Sequence, residues 1–89
     1  MIFTGSIIRL KSRLSHLIEP DFGLLDELLR LEVLTLRECD GVRSEVTAAQ
    51  RTEAILDLLT SADQCDRFLI ALQRTGQQHV ENFVTENGG

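Results

Sequence analysis

Apolar residues recur three and four positions apart along most of the chain, the spacing that places them on one side of an α-helix. The clearest run lies between Thr47 and Val84, where three apolar stripes follow one another with short breaks. Their members are Ile55, Leu56, Leu58 and Leu59; Cys65, Phe68, Leu69 and Leu72; and Val80, Phe83 and Val84. Because helices of about 12 residues are only marginally stable alone in water, these three must pack on one another and on the preceding segments.

A hydroxyl residue precedes each stripe and is followed three positions later by a glutamine. At this spacing the hydroxyl accepts a backbone N–H of the first turn, and the amide side chain binds back to the N–H of the capping residue. A glutamate can replace the glutamine, as it does in a fourth pair. The pairs are Thr47 and Gln50, Ser61 and Gln64, Thr75 and Gln78, and Thr35 and Glu38. The sequence therefore predicts four capped helix starts.

Two helices are predicted before the first of these caps. Residues 1–5 show little periodicity and predict a frayed lead-in, after which a helix ends before Pro20. Its apolar side carries Ile7, Leu10, Leu14, Leu17 and Ile18. Asp21 is the predicted cap of a second helix that runs to about Leu31. Its inward residues are Leu24, Leu25, Leu28 and Leu29, and its outward residues are Asp26, Glu27 and Arg30.

Two further local features are predicted in this half of the chain. Asp26 and Arg30 have the i,i+4 spacing at which opposite charges pair on a helix. The short third helix, which begins after Thr35, presents Leu36, Cys39 and Val42 as its apolar residues and ends near residues 44–46.

Composition then limits the architecture. A chain of 89 residues with 43% hydrophobic content supports one domain with one core, here residues 1–89 with a core from about 6 to 86 and an exposed end at 87–89. The aromatic residues are four phenylalanines, so leucine, isoleucine and valine must fill the core. With a single proline to interrupt helices, we predict an all-α fold, a six-helix antiparallel bundle.

The net charge of −5 disfavours binding to nucleic acid or to an anionic membrane, since phosphates are held by clustered lysine and arginine. The charge is nevertheless unevenly distributed. Residues 1–18 hold three basic residues and no acid, whereas residues 19–32 hold five acids against one arginine. This distribution predicts a basic surface from residues 1–18 and an acidic surface from residues 19–32.

The sequence offers little for catalysis or metal binding. Cys39 and Cys65 lie far apart on apolar faces and favour buried thiols of a cytosolic protein over a disulfide or a metal site. His16 and His79 have no ligand-like spacing to another residue. Ser15 precedes His16 directly, so the two point in different directions on a helix, and no catalytic motif occurs. We expect no catalytic residue, no metal, no cofactor and no small-molecule substrate.

The sequence also bears on whether a helix of this chain could read DNA. Such a helix would be rich in arginine, lysine, asparagine and glutamine. The richest candidate runs from Thr47 to Leu59, where Gln50 and Arg51 lie beside Glu53 and Asp57. This mixture does not favour a nucleic-acid partner.

Several segments in this order resemble a known family. They are LLDELL, then VLTLRECDGVRSE, then T-x-x-Q-R before ILDLL, and finally DRFLIALQRTGQQHV. Together they are similar to the caspase recruitment domain (CARD) of the death-fold superfamily. The chain departs from many members at Ser61 to Asp63, where they place a basic residue before glycine, and at Gly41, where they carry a bulky residue. The resemblance implies a Greek-key helical bundle in the cytoplasm.

The resemblance also implies a binding function that involves no catalysis. CARDs bind other CARDs in apoptosis or in innate immunity and inflammation, commonly by joining a basic surface on helices one and four to an acidic surface on helices two and three. Here the basic surface would comprise Arg9, Lys11, Arg13 and Arg51. The acidic surface would comprise Asp21, Asp26, Glu27, Glu32, Glu38 and Asp40. Since these are different surfaces, the contact is heterologous and can extend into open assemblies.

Two roles remain open for such a module. It can recruit or oligomerise signalling proteins by binding the CARD of a caspase, of an adaptor or of a NOD-like receptor, or by binding itself. Alternatively, it can be a decoy or regulatory adaptor that blocks such assembly.

Overall fold

Six α-helices account for most of the chain in the computed structural model, which describes residues 3–21 and 23–88. They are α1 (Phe3–Leu17), α2 (Leu24–Arg30), α3 (Leu36–Arg43), α4 (Ala48–Leu58), α5 (Ala62–Arg74) and α6 (Gln78–Gly88). No strand occurs among the residues described. The predicted all-α six-helix bundle is confirmed.

The packing order differs from the order along the chain. α1 packs against α4, α5 and α6, while α5 also contacts α2 and α6. α3 lies against α2 and α4. Within the described ranges, α1 makes no contact with α2, and α4 makes none with α5, although each pair is consecutive in sequence. This interleaving is the Greek-key arrangement of the bundle.

The core is built from the predicted stripes. Phe68, Leu14, Leu24, Leu28, Ile55 and Leu72 are the largest fully buried side chains. Leu17 and Leu36, predicted to face inward, are 40% and 60% exposed. In α3, Cys39 and Val42 take the inward positions, and Leu36 is the first residue of the helix. Directly after α1, Ile18 occupies the inward place beside Leu17. The side chain of Ile7 lies outside the described part.

Three of the four predicted caps are confirmed as complete capping boxes, those of Thr35 with Glu38, Thr47 with Gln50, and Ser61 with Gln64. The fourth, Thr75 with Gln78, is wrong. Thr75 instead ends α5, and its hydroxyl donates to the carbonyl of Ala71 at 2.9 Å. The reason is that α5 extends until Leu72 completes its buried stripe, so Thr75 meets free carbonyls rather than free N–H groups.

The start of α2 also differs from its prediction. Gly23, with φ of 92°, is the N-cap and provides no side-chain bond, while Asp21 lies too far before the helix to cap it. Arg30 does not pair with Asp26 but with Glu27, one turn earlier on the same helix. Asp26 is drawn instead toward Arg43 of α3, at 3.3 Å.

Both ends of the chain are more helical than expected. α1 includes residues 3–5, where the sequence predicts a frayed lead-in, and α6 continues to Gly88. Extending an existing helix by one turn costs little once its nucleus has formed, and no proline stops it here. Met1, Ile2 and Gly89 lie outside the described residues.

The side chain of Gln77 joins two loops at one end of the bundle. Its Oε1 accepts the backbone N–H of Glu19 at 2.6 Å, and its Nε2 donates to the carbonyl of Glu19 at 3.0 Å. Gln77 is only 5% exposed, so the pairing satisfies polar groups that water reaches poorly. The loop between α1 and α2 is thereby tied to the loop between α5 and α6.

The two cysteines lie inside the bundle, as predicted. Cys39 and Cys65 are both fully buried. Burial raises the pKa of the Cys39 thiol, and the nearby Arg43 only partly opposes this effect. The thiol form is therefore favoured, which makes Cys39 an unreactive packing residue.

Replacing a core aromatic should destabilise the bundle much more than replacing an exposed leucine. Phe68→Ala should lower the free energy of unfolding by about 3–5 kcal/mol, because it removes a fully buried ring and leaves a cavity. Leu36→Ala is the matched control and should change it by less than about 0.5 kcal/mol. Urea unfolding followed by circular dichroism measures both. Equal losses would show that the assignment of inner and outer faces is wrong.

Removing the Gln77 side chain should destabilise the loop connection. Gln77→Ala should lower the free energy of unfolding by about 1–3 kcal/mol, since it leaves the N–H and C=O of Glu19 without their partner. The neighbouring Gln78 is exposed, so Gln78→Ala serves as the control with little expected change. The same urea titration compares them, and a Gln77 variant as stable as the Gln78 variant would contradict the predicted role.

Candidate interaction surfaces

The basic residues of α1 occupy two different environments. Arg9 and Arg13 are exposed and four residues apart, which places them in one row along the helix. Lys11 lies elsewhere on α1, and its Nζ is 2.5 Å from a carboxylate oxygen of Asp57 on α4. The hydrogen bond to Asp57 raises the pKa of Lys11, so the amine remains charged. Lys11 thus links α1 to α4, whereas Arg9 and Arg13 face outward.

Arg51 binds Asp21, although the two were predicted on surfaces of opposite charge. Its Nε lies 2.8 Å from Asp21 Oδ1, and its Nη2 lies 3.0 Å from Oδ2. Its Nη1 also donates to the carbonyls of Glu45 and Val46, at 2.9 and 3.3 Å. One guanidinium therefore connects the segment before α2, the loop after α3 and the start of α4. Most of its donors are occupied within the chain.

A second ion-paired group connects α2 and α3. Arg43 lies 3.3 Å from Asp26 and 3.7 Å from Asp40, measured from its Nη2 and Nη1 nitrogens to their Oδ1 atoms. The carboxylates remain largely open to solvent, since the side chains of Asp26 and Asp40 are 81% and 68% exposed. Sequence reasoning did not single out Arg43. The i,i+3 spacing of Asp40 and Arg43 could have indicated half of this contact.

An open cleft of about 270 Å³ lies between these two ion-paired groups. It is lined by Pro20, Asp21, Gly23, Leu25, Asp26, Arg43 and Arg51. Its lining includes two carboxylates and two guanidiniums, each already facing an opposite charge. Such a lining can receive a charged side chain of another molecule.

Glu27 is more buried than predicted. Its side chain is only 16% exposed, and it contacts both Arg30 of its own helix and Arg74 of α5, the latter at 3.9 Å. Its Oε1 has no hydrogen-bond partner among the described residues. The expectation that Glu27 points outward is therefore wrong, because α5 packs over this side of α2. Its carboxylate faces Arg30 and Arg74.

Glu32 and Glu38 lie on either side of the turn that joins α2 to α3. Glu38 completes the cap of α3, where its Oε1 accepts the N–H of Thr35 at 2.9 Å. Glu32 is exposed, and within the described part of the chain its side chain makes no hydrogen bond or ion pair. Its φ of 61° is the only positive value found there at a residue other than glycine.

Two polar side chains of α5 hold the backbone of this turn. Gln64 Nε2 donates to the carbonyl of Val33 at 3.3 Å, and Arg67 Nη1 donates to the carbonyl of Leu31 at 3.1 Å. Sequence reasoning assigned Gln64 a capping role alone and gave Arg67 no role. Neither contact has a sequence signal, because both cross from α5 to a turn more than thirty residues earlier.

The outer side of α3 carries features that sequence reasoning missed. Arg37 is exposed in its first turn and makes no ion pair with any described residue. Leu36 and Val46, at the two ends of this helix region, are 60% and 84% exposed. A Cβ added at Gly41 would meet no described atom within 4 Å, so the fold leaves room for a side chain there.

The residues that the structure describes offer little for other classes of site. No group of three or more histidine, cysteine, aspartate or glutamate side chains there could hold a metal ion. His16 and His79 are both exposed. None of the described helices is both long and apolar enough to cross a membrane.

Comparison with protein-family models matches residues 7–87 to the caspase recruitment domain. Comparison with curated proteins and with solved structures gave no match. The family match covers nearly the whole chain, and the six-helix Greek-key bundle agrees with it. The resemblance read from the sequence is confirmed. The chain belongs to the caspase recruitment domain family, whose members are interaction modules that bind other CARDs.

Proposed function

We propose that this domain recruits or oligomerises signalling proteins of apoptosis or innate immunity by binding another CARD through two oppositely charged surfaces. The observation that carries this proposal is the separation of the exposed charges. Arg9 and Arg13 lie on the outer side of α1, while the exposed carboxylates of Asp26 and Asp40 lie on α2 and α3. In the described structure α1 packs against neither α2 nor α3, so the two surfaces lie apart.

The ion pairs within the chain reduce the number of candidate partner-binding residues, of which the sequence predicts ten. Lys11, Arg51, Asp21, Glu27 and Glu38 are held by contacts within the chain. Asp26 and Asp40 also face Arg43, but their side chains remain 81% and 68% exposed. We assign partner binding to the charged residues that stay open to solvent and name two surfaces. The α1 basic surface consists of Arg9 and Arg13. The α2–α3 acidic surface consists of Asp26, Glu32 and Asp40.

The energetics require several contacts to act together. An exposed ion pair contributes only about 0–1 kcal/mol, and salt screens it beyond about 8 Å at physiological ionic strength. Affinity must therefore include apolar burial, for which the exposed side chains of Leu36 and Val46 are available next to the acidic surface. Binding should weaken as the salt concentration rises.

The partner that we propose is the CARD of a caspase, of an adaptor or of a NOD-like receptor, or a second copy of this domain. We place the interaction in the cytosol. The buried cysteine thiols support this location, since proteins of oxidising compartments more often use cysteine in disulfides.

Reversing the charge of either surface should abolish association without unfolding the domain. The variants are Arg9→Glu with Arg13→Glu, and Asp26→Lys with Asp40→Lys, which replace exposed residues. The second variant also loses the exposed ion pairs to Arg43, which contribute only about 0–1 kcal/mol each, so both variants should remain folded. Pull-down of a panel of CARDs measures binding, and circular dichroism checks folding. Glu86→Lys, an exposed reversal on α6, is the control that should retain binding.

Mixing the two double variants gives a further test. Each keeps one intact surface, so if the domain binds itself the mixture should form dimers that neither variant forms alone. If both double variants bind every partner as the wild type does at 0.15 M salt, the salt at which charges are screened beyond about 8 Å, the charged-surface mechanism is wrong.

Substituting Arg51 should lower the free energy of unfolding, whereas substituting Arg13 should not. Arg51→Met should lower the free energy of unfolding by about 1–3 kcal/mol, because it removes the bidentate contact to Asp21 and two bonds to backbone carbonyls. Arg13→Met is the matched control and should remain within about 0.5 kcal/mol of the wild type. Urea unfolding compares the two. If neither substitution changes stability, Arg51 belongs with the α1 basic surface instead.

A further inference from the structure

The exposed hydroxyl groups of this domain differ in whether the fold already uses them. Most form a hydrogen bond within the chain, either as a helix cap or by donating to a nearby oxygen; they belong to Thr35, Ser44, Thr47, Thr60 and Ser61. The exposed hydroxyls of Ser12 and Thr85 make no hydrogen bond with the described residues. Both groups are therefore open to another molecule.

The charges beside these two hydroxyls have opposite signs. Thr85 lies directly before Glu86 on α6. Ser12 lies on α1 within three positions of three basic residues, which are Arg9, Lys11 and Arg13. A protein that recognises a hydroxyl through acidic groups of its own therefore favours Ser12 over Thr85.

Ser15 provides a comparison on the same helix, one turn beyond Ser12. It is only 4% exposed, and its Oγ donates to the backbone carbonyl of Ser12 at 2.8 Å. Arg13 precedes Ser15 by two positions, so the sequence around Ser15 is also basic. Burial and the hydrogen bond keep the Ser15 hydroxyl from other molecules. Of these two serines, only Ser12 combines basic neighbours with an open hydroxyl.

We propose that Ser12 is phosphorylated by a protein kinase with an acidic substrate groove, and that the phosphate switches off partner binding by the α1 basic surface. The proposal rests on the proposed function and names a regulation of that surface. The γ-phosphoryl group of ATP is transferred: a bond forms between Ser12 Oγ and phosphorus, while the bond from phosphorus to the oxygen that leaves with ADP breaks. The hydroxyl proton passes to the catalytic aspartate of the kinase.

The phosphate cancels the charge that the α1 basic surface offers to a partner. Phosphoserine carries a charge of about −1.5 to −2 at pH 7, close in magnitude to the combined charge of Arg9 and Arg13. Positions 9 and 12 are three apart on the helix, so the phosphate lies beside the guanidinium of Arg9. A partner's carboxylates then meet a negative group on this surface and are repelled. The Ser12 hydroxyl supports no hydrogen bond of the described fold, so the bundle should stay intact.

Ser12 lies within a helix, so a kinase that binds an extended segment reaches it only when the first part of α1 opens. Such local opening requires much less free energy than unfolding of the whole domain. The ion pair between Lys11 and Asp57 of α4, at 2.5 Å, holds this part of α1 to the bundle. Asp57→Asn removes that pair and should raise the rate of phosphorylation about two- to fivefold.

Asp63→Asn is the matched control for this change in rate. It removes an exposed ion pair that is confined to α5, so the rate should stay at the wild-type value. Equal rates in the Asp57 and Asp63 variants would overturn this route of access.

Phosphate incorporation tests the site without any partner. The intact domain is incubated with ATP, Mg²⁺ and the catalytic subunit of cyclic AMP-dependent protein kinase, and fragmentation of the product in a mass spectrometer locates the phosphate. We expect a phosphate on Ser12 and none on Ser15 or Thr85. Ser12→Ala should abolish incorporation, and Arg9→Gln should slow it by more than about tenfold, because the kinase loses one of the cations that it recognises.

Binding to a CARD that the wild type retains in the pull-down tests the switch. The phosphorylated domain should bind it more than about tenfold more weakly, and treatment with a phosphatase should restore binding. Ser12→Glu introduces a single negative charge and should weaken binding about fivefold. Ser12→Ala and Thr85→Glu are the controls that should bind as the wild type does. Circular dichroism checks that every variant is folded.

The outcomes distinguish this switch from the proposed function. No phosphate on Ser12, or incorporation that persists in Ser12→Ala, would overturn the site. A phosphorylated domain that binds as strongly as the unmodified domain would overturn the switch and leave the proposed function intact. If the unmodified domain binds no CARD, the proposed function and the switch are both wrong, while incorporation still decides the site.

Discussion

The apolar side of α5 packs against α1, α2 and α6 at once, and α3 and α4 join the bundle through their contacts with α2 and α1. Phe68 and Leu72 are fully buried there, so water is excluded from the centre of the bundle. The polar edge of the same helix extends the constraint, because Gln64 and Arg67 bind the carbonyls that flank Glu32. One helix therefore both forms the core and fixes a turn on the surface.

The charged residues divide according to whether their partners lie inside the chain. Arg51 illustrates the first group, since its contacts with Asp21 and two carbonyls join three segments that hydrophobic packing alone would leave loosely connected. Arg13 illustrates the second group, for it is exposed and makes no ion pair or hydrogen bond with the described residues. A patch of like charges in the sequence thus contains residues of two kinds.

Much of the fold can be predicted from the sequence because helix capping and apolar periodicity depend on residues within a few positions of one another. Capping boxes such as Thr47 with Gln50 act within one helical turn, and stripes such as that of α5 report directly on the buried side. The errors occur where tertiary contacts compete with local ones. Asp21, predicted as the cap of α2, lies before the helix start and is held by Arg51, whereas Glu27, predicted to face solvent, lies beneath α5 near Arg74. In each case a contact with a residue distant in sequence changed the environment that the local pattern predicts.

By itself, the sequence determined the number of helices, most of their inner faces, the family and the presence of opposite charges at different places along the chain. Periodicity and capping depend on neighbours within about four residues, so a linear pattern contains them. Only the tertiary structure decided which of those charges pair within the chain, and it showed that Glu32 has a left-handed backbone conformation. Ion pairing and burial join residues dozens of positions apart, as in the 30-residue separation of Asp21 and Arg51, and no local pattern records such distances.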